Sequence, residues 1–186
     1  ATVLATGSYG ARKDLLPESL DNFVYYGAQL AQGEGMEMAK KIGADVVNQG
    51  YVELFENGVE WQPGIAKSTY NGSMAAWDVS GILVDHSGKR VVNERAAGID
   101  IVKEMAKQDD GRLFLLMDQA TYDSFENNIT GYGISQELLD IWLENNAQKP
   151  PYFAHADSIE EVAGILDIDA KNLQNTVDRY NEFVKK

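Results

Sequence analysis

Gly81-Ile82-Leu83-Val84-Asp85-His86-Ser87-Gly88-Lys89-Arg90-Val91-Val92-Asn93-Glu94-Arg95 decides how the rest of the chain is read. Ile82, Leu83 and Val84 are strand formers. His86-Ser87-Gly88-Lys89 is a turn in which Gly88 is free to take positive φ. Val91-Val92 resumes the apolar run, so the stretch predicts a hairpin. Asn93, Glu94 and Arg95 follow at once, delivering an amide, a carboxylate and a guanidinium from the end of a rigid element, where binding and catalysis concentrate. The alternative is a surface hairpin that ends in a solvated ion pair.

Upstream, residues 2–6 read as a short apolar strand that opens on Ala1-Thr2, as if cut from a larger protein. Gly7 to Gly10 is a turn, and Pro17 breaks the mixed stretch from Lys13 to Leu20. A short helix or turn is expected over residues 22–30. Gly33-Glu34-Gly35 opens a helix carrying Met36, Met38, Ala39 and Ile42, and Gly43 ends it. Ala44 to Val47 reads as a strand. Val52 to Trp61 reads as extended chain around an Asn57-Gly58 hairpin turn, and residues 63–72 as loop.

Downstream, the spacing predicts a helix over 99–107, a solvated turn at Asp109-Asp110-Gly111 and a buried strand in 113–117. A short helix is expected over 121–127, broken by Gly131-Tyr132-Gly133. Another follows over 135–145, capped by Ser135. Pro150-Pro151 ends that unit. Asp157 with Glu160 reads as a capping box, and Asp169 caps a last helix carrying Leu173, Val177, Tyr180 and Phe183.

The 186 residues suit one domain, or one domain and a fragment, with 44% hydrophobic and 24% charged residues. The net charge of −13 and the lack of a Lys/Arg cluster argue against nucleic acid as a partner and against an anionic membrane surface. No apolar run approaches the ~20 residues of a membrane span. The absence of cysteine excludes disulfides, thiolate metal sites and a cysteine nucleophile. His86 and His155 lack metal-ligand spacing, so no metal site is expected. His86 is expected to be exposed and His155 structural.

Four motifs, in this order, resemble one family: Leu4-Ala5-Thr6-Gly7-Ser8-Tyr9-Gly10; Gln32-Gly33-Glu34-Gly35 with Met38-Ala39-Lys40-Lys41-Ile42-Gly43-Ala44; Gly88-Lys89-Arg90-Val91-Val92-Asn93-Glu94; and Thr176-Val177-Asp178-Arg179-Tyr180-Asn181-Glu182-Phe183-Val184. They are similar to the flavoprotein subunits of fumarate reductases and succinate dehydrogenases, above all the soluble fumarate and urocanate reductase branch. The resemblance implies an α+β fold: a small mixed sheet with helices, forming the family's capping domain over residues 51–186. Residues 1–50 would then be a short piece of the FAD-binding domain. Its dinucleotide fingerprint would lie before Ala1 and its closing segment after Lys186.

On that resemblance Ala5, Thr6, Gly7, Gly33 and Glu34 are cofactor-side positions. Ser73, Asn93, Glu94 and Arg95 are substrate-side. The family's proton-donating Arg lies four residues beyond its Glu, where this chain has Gly98, and the Asp that follows falls at Ile99. The family's Thr-Glu pair falls near Ser73-Met74, and its His-Pro-Thr near Gln62-Pro63-Gly64. Arg95 or a tyrosine is the remaining candidate for the acid. Tyr70, Trp77 and Tyr132 are candidates to line a flat pocket, with packing roles as the alternative. The activity implied is FAD-dependent reduction or formation of an activated C=C bond on a small molecule. The alternatives are a non-catalytic binding domain that has kept the cap fold and a ketosteroid dehydrogenase-like enzyme. FAD is expected in the longer protein and none in this chain alone. The remainder of the FAD-binding domain is the expected partner, and the cytoplasm the expected location.

Overall fold

The computed structural model describes residues 3–130 and 133–185. The expected break at Gly131-Tyr132 and the pocket role of Tyr132 lie outside the described residues, as do Ala1, Thr2 and Lys186. The elements are α1 (Glu34–Lys41), β1 (Val59–Gln62), β2 (Ile65–Lys67), α2 (Tyr70–Val79), β3 (Ile82–Val84), α3 (Gly98–Met105), β4 (Phe114–Leu116), α4 (Gln119–Ile129), α5 (Gln136–Asn145), α6 (Ile159–Leu166) and α7 (Ala170–Val184). The class is α+β, as expected. The sheet is not one mixed sheet. It is two separate antiparallel pairs, β1–β2 and β3–β4.

β3 is where the core is organised. Its residues alternate between two faces: Ile82 and Val84 pack with Ala163, Ile168 and Leu173 of the α6–α7 unit, and Leu83 packs with Trp77 and Ile101. Its partner is β4, in the register Ile82↔Leu116, Leu83↔Leu115, Val84↔Phe114. The hairpin expected to continue through Val91-Val92 does not form. After the turn, in which Gly88 takes φ +74°, a single bridge joins Val84 to Arg90. The chain then leaves, and on that edge of β3, opposite β4, a side chain takes the place of a second strand: Leu83 N donates to Glu94 Oε1 at 2.7 Å. The turn docks on α7 instead. Thr176 Oγ1 donates to the Gly88 carbonyl at 2.7 Å, and a Cβ on Gly88 would stand 2.6 Å from Leu173 N.

The β1–β2 hairpin turns at Pro63-Gly64, not at Asn57-Gly58. Proline presets the first turn dihedral and Gly64 takes φ +78°, the combination a type II turn requires. The stretch read as loop from 63 to 72 therefore holds β2 and the start of α2. A third core joins Ala76 of α2 with Phe125 and Ile129 of α4 and Leu139 and Trp142 of α5. Gly72 lets α2 approach α4, since a Cβ there would meet Phe125 Cδ2 at 2.9 Å. Helix starts follow local chemistry: Ser135 and Asp169 accept from the backbone N–H three residues on. In α6 the cap is Ser158, accepting from Glu161 N, rather than Asp157. Serine three residues before Glu161 satisfies the same pattern one position later.

No strand forms at residues 3–6 or 44–47. Val3, Leu4, Ile42 and Val47 stand exposed, and an extended segment without a pairing neighbour leaves its ladder groups to water. Pro17 separates two single-turn 3-10 helices, Lys13–Leu15 and Glu18–Leu20. Residues 22–30 hold turns at their ends and irregular chain between, with no helix. Across position 50, Ala66 N donates to the Tyr25 carbonyl at 3.3 Å.

Candidate functional site

Two of the sequence motifs meet. Gly33 N donates to the Ser8 carbonyl at 3.2 Å, and Ala11 N donates to the Ala31 carbonyl at 3.1 Å, so the turn after Thr6 lies along the entry to α1. The Thr6 side chain packs so closely on Gly35 that a Cβ there would fall 1.8 Å from Thr6 Oγ1. Gly33 begins α1 in the left-handed conformation and gives it no side-chain cap, which leaves the first-turn N–H groups without an intrahelical partner. Gly7 takes φ +84° with open space above it. Small residues, open backbone and an uncapped helix start fit the edge of a dinucleotide. Ala5, Thr6, Gly7, Gly33 and Glu34 are the residues that would hold it.

The substrate-side candidates do not converge. Glu94 is 6% exposed, and its carboxylate is fully engaged. Oε1 accepts from Leu83 N at 2.7 Å and from Arg90 Nε at 3.0 Å, and Oε2 accepts from the Arg90 guanidinium. The hydrogen bond to Glu94 raises the Arg90 pKa above the ordinary arginine value. This pair ties the end of the turn to β3. Asn93 Oδ1 accepts from Arg95 N at 2.9 Å. Arg95 reaches outward to Asp78 Oδ1 at 2.8 Å in an exposed pair. Ser73 is buried within α2, its hydroxyl 3.0 Å from that of Thr69. Tyr70 is half exposed, and Trp77 is a core residue whose Nε1 has no hydrogen-bond partner among the described residues.

A cavity of about 710 Å³ lies between residues 13–27 and 52–60 on one side and β3, α3, β4 and the end of α6 on the other. Phe23, Tyr25, Tyr26, Phe55, Ile101 and Met105 give it an apolar body. Its polar lining is acidic: Asp21, Glu53, Glu56, Glu60, Asp110 and Asp167 against Lys13 and Arg112. Arg112 is neutralised by Glu60 at 2.6 Å and lies over the Tyr152 ring. His86, partly exposed, pairs with Asp110 at 3.0 Å. Burial, followed by Glu53 and Glu56, raises the Tyr26 pKa, so the phenol keeps its proton.

Glu56 stands against Gly98. A Cβ on Gly98 would meet Glu56 Oε2 at 2.6 Å. Beside it Asn57 is 7% exposed and lines the cavity. Its Oδ1 accepts from the Ser68 hydroxyl at 3.4 Å, and its Nδ2 is buried with no hydrogen-bond partner among the described residues. The sequence reading missed both residues by treating Asn57-Gly58 as a turn.

A family model for the FAD binding domain matches residues 1–186. The chain belongs to that family, with the flavoproteins of the fumarate reductase type. It is 23% identical over 189 residues to the NADH:acrylate oxidoreductase of Vibrio harveyi, covering 98% of this chain and 17% of that protein. It is 26% identical over 150 residues to fumarate reductase 1 of Saccharomyces cerevisiae, covering 76% of this chain and 32% of that protein. It is 25% identical over 194 residues to the urocanate reductase of Eggerthella lenta, covering all of this chain and 29% of that protein. The chain thus spans less than a third of the length of these relatives.

Proposed function

We infer that this chain is the substrate-closing portion, with an adjoining flavin-side strip, of a longer FAD-dependent oxidoreductase that forms or reduces a C=C bond beside an activating group. The observation that carries this reading is the packing of Thr6 on Gly35, which sets the two small-residue motifs side by side at the uncapped start of α1. FAD, when bound, supplies hydride transfer. The backbone at Ala5, Thr6, Gly7, Gly33 and Glu34 offers it close approach, and residues 51–186 close over the substrate and exclude water. Exposed Val3, Leu4, Leu30, Ile42 and Val47 support the remainder of the FAD-binding domain as the partner covering residues 1–50.

The proton does not come from position 98, which is glycine, nor from Arg95, whose guanidinium is held outward by Asp78. The acidic cavity lining supports an uncharged substrate over a dicarboxylate. Anaerobic reduction of the flavoprotein that contains this chain tests the reading. Its bleached flavin should regain its yellow colour on mixing with an activated alkene. Failure with fumarate, urocanate, acrylate and cyclic enones alike would leave a binding domain without chemistry.

A further inference from the structure

We propose that the cavity wall at Tyr26, Phe55 and Glu53 binds an organic cation, a bulky ammonium group carried on an apolar body. The flavin chemistry inferred above requires only that the ligand not be a dicarboxylate. A cation site goes beyond it, giving the cavity a ligand charge and a place to read that charge.

The Tyr26 and Phe55 rings both line the cavity. Their centroids are 5.7 Å apart and their planes are inclined at 56°. The pair is tilted, not stacked, so neither ring covers the face of the other. Phe55 is 42% exposed, an aromatic surface left open in the wall. An ammonium group is attracted to the face of such a ring, and more strongly where water is excluded. Glu53 adds a carboxylate to the same wall. Burial first, then the charges of Glu53 and Glu56, raises the Tyr26 pKa, so these carboxylates act at the ring that would meet the cation.

The charge balance of the cavity points the same way. Asp21, Glu53, Glu56 and Asp167 line it with no ion pair among the described residues, against Lys13. Arg112 is already matched by Glu60 at 2.6 Å. Arg112 also shows that this wall accepts a cation on an aromatic face, since its guanidinium carbon lies 5.1 Å from the centre of the Tyr152 ring. The ligand is not a bare metal ion. Among the described residues no three His, Asp or Glu side chains come together closely enough to hold one. The negative charge is instead spread around an apolar volume of about 710 Å³. That suits a bulky, weakly hydrated ammonium, which needs no tight ring of oxygens.

Calorimetric titration of the flavoprotein containing this chain tests it, at mildly acidic pH where phenols keep their proton. The ligands are 4-(trimethylammonio)phenol, its uncharged isostere 4-tert-butylphenol, and 4-hydroxybenzoate. The cation should bind about tenfold tighter than the isostere, as a desolvated cation–π contact allows. The carboxylate should show no binding. Tyr26→Leu and Phe55→Leu should each remove most of the cation's advantage. Glu53→Gln, at an exposed position that the fold does not depend on, should weaken the cation about threefold and leave the isostere unchanged. Equal affinity for cation and isostere, binding of the carboxylate, no binding of the cation, or an advantage undiminished in Glu53→Gln and Tyr26→Leu would each overturn the proposal. The two readings separate. Reoxidation of the reduced flavin by an uncharged alkene, with no preference for the cation, would remove this site and leave the oxidoreductase standing. A cation preference without any flavin turnover would do the reverse.

Discussion

The Glu56 carboxylate lies against the backbone of Gly98, so close that a Cβ on residue 98 would stand 2.6 Å from Oε2. Gly98 is also the first residue of α3. One glycine therefore removes the guanidinium that the family resemblance leads one to expect and makes room for a carboxylate from a segment 42 positions earlier in the chain.

Gly98→Ala should leave stability intact. Alanine favours a helix over glycine by about 1 kcal/mol, and the atom it would meet is the mobile end of a glutamate. Thermal denaturation should give a Tm no lower than wild type. A marked fall in Tm would mean that Glu56 is fixed in place as a structural group.

Glu94→Ala should be costly for folding. It strands the partly buried Arg90 and leaves Leu83 N without its acceptor. Breaking a buried pair costs roughly 3–5 kcal/mol, and Arg90 is about a third exposed, so about 2–3 kcal/mol is expected from urea denaturation. A loss within about 0.5 kcal/mol, the range of ordinary surface substitutions, would show that Glu94 is free to serve a ligand.

Gly72→Ala should also destabilise, for a steric reason. Its Cβ would press on Phe125 Cδ2 at 2.9 Å and Ile129 Cβ at 3.0 Å. Overpacking of about 1–3 kcal/mol outweighs the gain of about 1 kcal/mol in helix propensity. Tm should fall by about 2–6 °C for a chain of this size. An unchanged or raised Tm would contradict the close α2–α4 approach.

Asp118 caps α4, accepting from Thr121 N at 2.9 Å and Thr121 Oγ1 at 2.7 Å. These bonds lower its pKa below the ordinary carboxyl value of 3.8. A carboxyl lowered in the folded state stabilises fully above its unfolded pKa, and that stability is lost as pH falls through the folded pKa. Asp118→Ala should cost about 1 kcal/mol at neutral pH. The difference from wild type should begin to shrink as pH approaches the ordinary value of 3.8 and shrink further below it. A difference that is constant down to pH 2 would rule out the charged cap.

Local signals were legible where local chemistry decides. Ser135 and Asp169 marked their helices because a side chain three residues away satisfies the backbone. Ile82 to Val84 marked a strand by composition. α2 was not legible: Asn71-Gly72 reads as a turn, and only contact with Phe125 explains a glycine there. The strand at residues 91–92 failed because the Glu94 side chain takes the Leu83 N–H on the edge of β3 where that strand would have paired. The flavin-side motifs could be read as a pair in sequence. Glu56 and Asn57 could not, since Asn-Gly is a strong turn signal and burial of the asparagine depends on chain far away. Pro63-Gly64 held the real turn.

The most direct test of the central claim is the absorbance near 450 nm of the anaerobically reduced flavoprotein containing this chain, mixed in turn with 2-cyclohexenone and with fumarate. The uncharged enone should restore the oxidised flavin spectrum, and fumarate should leave it bleached. Reoxidation by fumarate with the enone inert would contradict the account, because a glycine at 98 and an acidic cavity would then be serving the dicarboxylate they are built to refuse.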